Sequence, residues 1–88
     1  MRVKPHILFV DDEAPIRELL ALYFRKRGYE VTTAVRSADA LKLVAEGAFQ
    51  LAILDVDIAG ENGLELLTTL KAKNASLGCV TFSLGPDP

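Results

Sequence analysis

Three carboxylates stand out for where they fall. Asp55 ends the apolar run Leu51-Ala52-Ile53-Leu54, and a Gly-containing loop from Val56 to Gly63 follows it. A second apolar run, Ile7-Leu8-Phe9-Val10, ends the same way, in Asp11-Asp12-Glu13. Two buried-type strands that both stop at carboxylates imply an acidic pocket at one edge of a sheet. Clustered carboxylates repel one another and raise each other's pKa values. A chain tolerates that most readily when a divalent cation sits among them, so the pattern points to metal and phosphoryl chemistry.

Such a pocket needs a sheet whose strand ends converge, and the sequence alternates strand and helix. A first strand is expected at about His6 to Asp11. A helix opens near Asp12 with Pro15 in its first turn, where a missing N–H costs little. Ile16, Leu19, Leu20, Tyr23 and Phe24 make its apolar stripe. Arg25-Lys26-Arg27 suits its negative end, and Gly28 the position just after it. A second strand is expected at Tyr29 to Ala34. Ser37 is the expected N-cap of a second helix that buries Leu41, Val44 and Ala45 and ends at Gly47. The third strand is Gln50 to Asp55. Asn62 and Gly63 read as turn residues, with Gly63 allowing positive φ. A third helix at Leu64 to Lys73 buries Leu67 and Leu70, helped by Leu64 and Leu66. The fourth strand is Cys79 to Ser83. Strands that are apolar throughout imply a parallel sheet covered on both faces. Right-handed crossovers then gather Asp11, Asp12, Asp55 and Ser83 at one edge, where ligands bind in such sheets.

The bulk properties agree with one small domain. The chain has 88 residues, 50% hydrophobic and 25% charged, with a net charge of −2. No basic run longer than Arg25-Lys26-Arg27 exists, which argues against nucleic-acid binding. No apolar stretch approaches the roughly 20 residues of a membrane span, so no membrane partner is expected. Cys79 is the only cysteine, so no internal disulfide can form, and a cytosolic location is expected.

Asp11-Asp12-Glu13 after its strand, Leu54-Asp55, and Gly63-Leu64-Glu65-Leu66 downstream together resemble the response-regulator receiver domains of bacterial two-component signalling. The resemblance spans residues 6 to about 84 and implies a flavodoxin-like doubly wound α/β fold with strand order 2-1-3-4. It implies that Asp55 is the phosphoacceptor and that Mg²⁺ is the cofactor. Asp12 would bind the ion directly, Asp11 directly or through water, and Asp57 through its backbone carbonyl. Ser83 would hydrogen-bond the phosphoryl group. The donor would be a sensor histidine kinase or a phosphotransfer protein.

The sequence also departs from that pattern. Ala59 and Asn62 stand where the family commonly has Pro and Asp, and Leu84 stands where a small residue is usual. The family's fourth helix, fifth strand with its Lys, and fifth helix have no counterpart before Pro88. The expectation is a shortened receiver whose fourth strand forms an exposed edge, through which two copies could pair as a homodimer. One alternative is a binding module that docks partners without signalling, and another is an excised piece. A remote third reading is an enzyme, since Asp55-Val56-Asp57 resembles the start of haloacid-dehalogenase-type phosphohydrolases. That motif normally follows the first strand, and the Asp11-Asp12 pair would go unexplained, so no turnover of an external substrate is expected.

Overall fold

The computed structural model describes residues 4–58 and 60–82. Its elements run β1 (His6–Val10), α1 (Ala14–Lys26), β2 (Glu30–Ala34), α2 (Ser37–Glu46), β3 (Leu51–Asp55), β4 (Asp57–Ile58), β5 (Glu61–Asn62), α3 (Gly63–Lys73) and β6 (Gly78–Phe82). Four strands form a parallel sheet in the order β2-β1-β3-β6. With β6 counted as the fourth long strand, this is the expected 2-1-3-4 order. The short β4 and β5 pair antiparallel with each other, where the sequence suggested a plain loop.

The two central strands explain the layering. Alternate residues of a strand point to opposite faces. Leu8, Val10, Ala52 and Leu54 enter one core with Ala40 and Val44 of α2, Leu66 and Leu70 of α3, and Ile58 of β4. Ile7 and Phe9 face the other side, where Ala21 of α1 is buried beside Ile16, Leu20 and Phe24. Each fully buried aliphatic side chain stabilises the fold by roughly 1.5–3 kcal/mol relative to its exposed state. Apolar burial on both faces is why the strand runs read as continuous rather than alternating.

The helix stripes need correction. Leu19 is 62% exposed and Tyr23 47%, so α1 faces the sheet with Ile16, Leu20, Ala21 and Phe24 instead. Leu22 is exposed as well, so α1 carries apolar residues on its outer side. Its chain of aromatic contacts runs from Tyr23 to Phe24 to Tyr29, each pair edge to face. In α2 Ala45 is exposed, and Ala40 is buried in its place. In α3 Leu66 and Leu70 are buried, Leu67 is half-buried, and Leu64 is exposed.

Two local expectations also change. Ser37 is the first residue of α2 rather than its cap; Arg36 holds the N-cap position, and no cap side chain bonds the helix. Gly63 has no positive φ; that conformation belongs to Gly28 (φ 94°) and Gly60 (φ 83°). Gly63 is needed for space, because a Cβ there would overlap the backbone carbonyl of Asp55. Ser83, Leu84 and the tail to Pro88 lie outside the described residues.

Candidate functional site

Sheet register brings the carboxylates together. Val10 of β1 is the partner of Leu54 of β3, so Asp11 and Asp55 leave adjacent strands side by side. The Asp11 N–H donates to the Ala34 carbonyl at 3.1 Å, extending the β1–β2 ladder by one bond. Arg17, one turn into α1, donates to the Asp11 carbonyl at 2.9 Å. On the other strand the Val56 N–H donates to the Phe82 carbonyl at 2.9 Å, which ties Asp55 to the end of β6. The backbone under both carboxylates is therefore fixed by neighbouring strands.

Asp11, Asp12 and Asp55 each offer a carboxylate oxygen, and these oxygens lie within 4.8 Å of one another. They differ in exposure. Asp11 is wholly buried, Asp55 is half-buried and Asp12 is exposed. One oxygen of Asp11 accepts the Glu13 N–H at 2.9 Å, while Oδ2 is buried with no hydrogen-bond partner among the described residues. Buried acceptors are ordinarily satisfied, so an orphan is a mark of something further in the site. Burial pushes the Asp11 carboxyl above the ordinary carboxylate range; the Glu13 N–H opposes this, and the charges of Asp55, Asp12 and Glu13 add to it. A cation would relieve both effects at once, and an all-oxygen donor set with open exposure on one side suits Mg²⁺.

Asp57 follows directly. Its N–H donates to Asp55 Oδ1 at 3.1 Å, and its own Oδ1 accepts the Gly60 N–H at 3.1 Å. The Asp57 side chain thus closes the turn between β4 and β5. Below it Ile58 is wholly buried and anchors the hairpin in the core. The Gly63 N–H donates to the Val56 carbonyl at 2.7 Å, so the hairpin begins and ends against the same strand end.

A profile of the response regulator receiver domain matches residues 7–87. The chain belongs to that family. As a receiver domain it is a module of two-component signalling, and two relatives, one in two solved structures, illustrate the likeness. The transcriptional activator protein PfeR of Pseudomonas aeruginosa is 34% identical over 83 residues, which are 94% of this chain and 27% of PfeR. The chain thus spans about a quarter of the length of that relative. The response regulator TrrA of Thermotoga maritima, solved in complex with Mg²⁺–BeF, is 36% identical with a TM-score of 0.86, covering 92% of this chain and 70% of TrrA. TrrA in complex with the histidine kinase ThkA matches at 35% identity and a TM-score of 0.86, covering 94% of this chain and 72% of that one. No helix among the described residues of this receiver is long and apolar enough to cross a membrane.

Three of the site residues expected from sequence therefore converge in the receiver fold, Asp57 adjoins them, and Ser83 lies outside the described residues. Two supporting residues escaped the sequence reading. Arg17 is one, and only its place one turn after Asp11 hinted at it. Glu61 is the other; its Oε1 accepts the Ser37 N–H at 3.1 Å, a pairing across 24 positions that no local pattern announces.

Proposed function

We propose that this receiver domain takes a phosphoryl group onto Asp55 from a phosphohistidine of a sensor kinase or phosphotransfer protein, with Mg²⁺ as cofactor. The observation that carries the reading is the orphaned, buried Oδ2 of Asp11, a residue whose carboxylate clusters with those of Asp12 and Asp55. Asp11 and Asp12 would hold the ion, with Asp55 and the Asp57 backbone carbonyl. When bound, Mg²⁺ neutralises carboxylate and phosphoryl oxygens that would otherwise repel. A carboxylate oxygen of Asp55 forms the new O–P bond as the N–P bond to the imidazole breaks. The electron pair of that bond stays on the imidazole nitrogen, which regains its neutral form by taking up a proton. Asp57 keeps one Asp55 oxygen oriented through its N–H, leaving the other free to attack. Ser83 is proposed to donate a hydrogen bond to the transferred group.

The kinase complex of the related TrrA supports a histidine-kinase partner. The exposed Leu19, Leu22 and Tyr23 give α1 an apolar outer surface for such docking. The test is phosphoryl uptake from acetyl phosphate or a phosphorylated kinase, read by intact-mass spectrometry with and without Mg²⁺. One added phosphoryl group, lost in Asp55→Asn and without Mg²⁺, is the expected result. Uptake that survives Asp55→Asn would overturn the assignment.

A second reading is self-association as a binding module. It is favoured by β6, which among the described residues pairs only with β3 and exposes Val80. Open strand edges pair readily with other strands. Sedimentation equilibrium would show a concentration-dependent dimer; a monomer at high concentration would remove this reading.

A further inference from the structure

The N-terminus of α2 is short of a local cap. Arg36 occupies the N-cap position without a side-chain hydrogen bond, although the first-turn amides of a helix have no partners within it. Glu61 fills the gap from another part of the chain, accepting the Ser37 N–H at 3.1 Å. The arrangement is electrostatically favourable, since a carboxylate meets the positive end of a helix. The Ser37 backbone N–H, then the Ser37 side chain and more weakly the Arg36 charge, hold the Glu61 carboxyl below the ordinary range.

Glu61 also belongs to the hairpin that carries Asp57. It is the register partner of Ile58, and its neighbour Asn62 is the partner of Asp57. Asn62 Oδ1 accepts the Leu64 N–H at 2.8 Å and the Glu65 N–H at 3.4 Å, capping α3. Two successive side chains of one short strand thus grip two different helices. Gly63 fixes the base of the hairpin against Asp55 and Val56, and Asn62 pairs with Asp57. Glu61 lies nearer the turn, where Gly60 adopts φ 83°, and ties that end to α2.

We propose that Glu61 is a positioning residue for the Asp11/Asp12/Asp55 site: by clamping the β4–β5 hairpin to the N-terminus of α2, it holds the Asp57 backbone where that site needs it. The proposal rests on the reading of the site as a Mg²⁺ site. Glu61 is outside the carboxylate cluster itself and acts through the hairpin. Because coupling free energies are reciprocal, occupancy of the site must in turn strengthen the Glu61–Ser37 contact.

The experiment compares Mg²⁺ affinity, by calorimetry or amide chemical shifts, in the full chain and in Glu61→Gln, Glu61→Ala and Asp12→Ala. Gln retains an acceptor for the Ser37 N–H but removes the charge; Ala removes both. Positioning predicts near-normal affinity in Glu61→Gln and roughly three- to tenfold weaker affinity in Glu61→Ala, below or at the low end of what loss of an outer-shell partner costs a metal site. It also predicts that saturating Mg²⁺ slows exchange of the Ser37 amide in the unmutated protein, a measurement independent of whether Glu61→Ala folds. Unchanged affinity in Glu61→Ala overturns the proposal, as does Glu61→Gln binding as weakly as Glu61→Ala, which would mean a through-space charge effect. Ser37 exchange indifferent to Mg²⁺ also overturns it. If the unmutated chain and Asp12→Ala bind Mg²⁺ equally, the metal-site reading fails first.

Discussion

Gly63 and Asp55 touch backbone to backbone. A Cβ on Gly63 would overlap the Asp55 carbonyl oxygen and sit 3.0 Å from both the Asp55 carbonyl carbon and Val56 Cα. None of these atoms is the end of a flexible side chain, so nothing can swing aside. Gly63→Ala should destabilise the fold by about 2–3 kcal/mol, as overpacking against fixed backbone does. Urea unfolding measures the loss, and an unchanged midpoint would mean that the hairpin relaxes freely.

Asp11→Asn should stabilise the metal-free chain while abolishing Mg²⁺ binding. The wild-type carboxylate is buried beside two others, with one oxygen unpaired. Replacing it with an amide that can donate to Asp12 or Asp55 should gain on the order of 1 kcal/mol. Thermal unfolding in chelator would show the gain, and saturating Mg²⁺ should invert the ranking of the two proteins. A mutant less stable than wild type without metal would contradict the account.

The same residue sets a pH dependence. Its folded-state pKa is raised above the unfolded value, chiefly by burial. The native state therefore binds the proton more tightly than the unfolded chain. That contribution to stability is fully present below the unfolded carboxylate pKa and is lost as pH rises through the folded pKa. In chelator, the advantage of Asp11→Asn over wild type should be small in acid, grow with pH and then level off. A gap independent of pH would rule out Asp11 as its source.

Asn62→Ala should cost about 1 kcal/mol through loss of the α3 cap. Its Oδ1 is the acceptor for both Leu64 and Glu65 amides. Hydrogen exchange should quicken in the first turn of α3 and leave α1 unchanged. Uniform acceleration throughout would indicate global destabilisation rather than loss of a cap.

Ile58→Ala tests how firmly the hairpin is rooted. Ile58 is wholly buried among the residues of the larger core. Truncation should cost about 2–4 kcal/mol, read by urea unfolding, and should weaken Mg²⁺ affinity in the folded fraction by releasing β4. Stability loss with unchanged affinity would separate core packing from site geometry.

Sequence made the sheet legible because β1 is buried on both faces and β3 packs apolar side chains on both, so Ile7–Val10 and Leu51–Leu54 read as unbroken apolar runs. It made the acidic pocket legible for the same reason, since each run ends in carboxylates that register then aligns. The helices were harder. In α1 apolar residues occupy both the sheet-facing and outer sides, so spacing alone chose Leu19 and Tyr23 over Ala21. Ala40 was invisible because alanine contributes little to a periodic signal. Ser37 has the right chemistry for a cap, yet the acceptor that serves α2 comes from Glu61. Contacts between segments far apart in the sequence, such as Glu61 to Ser37, leave no local pattern to read.

The paired grips of Glu61 and Asn62 make the hairpin a counting device. Successive side chains on a strand point opposite ways, so one added residue reverses which way each one faces. A single insertion between Asn62 and Gly63 would part Asn62 from the α3 amides it caps and turn Glu61 away from Ser37, though no contacting residue had been replaced. Changes of residue type in this segment can be absorbed one at a time. Changes of its length cannot, because one added residue moves both grips at once.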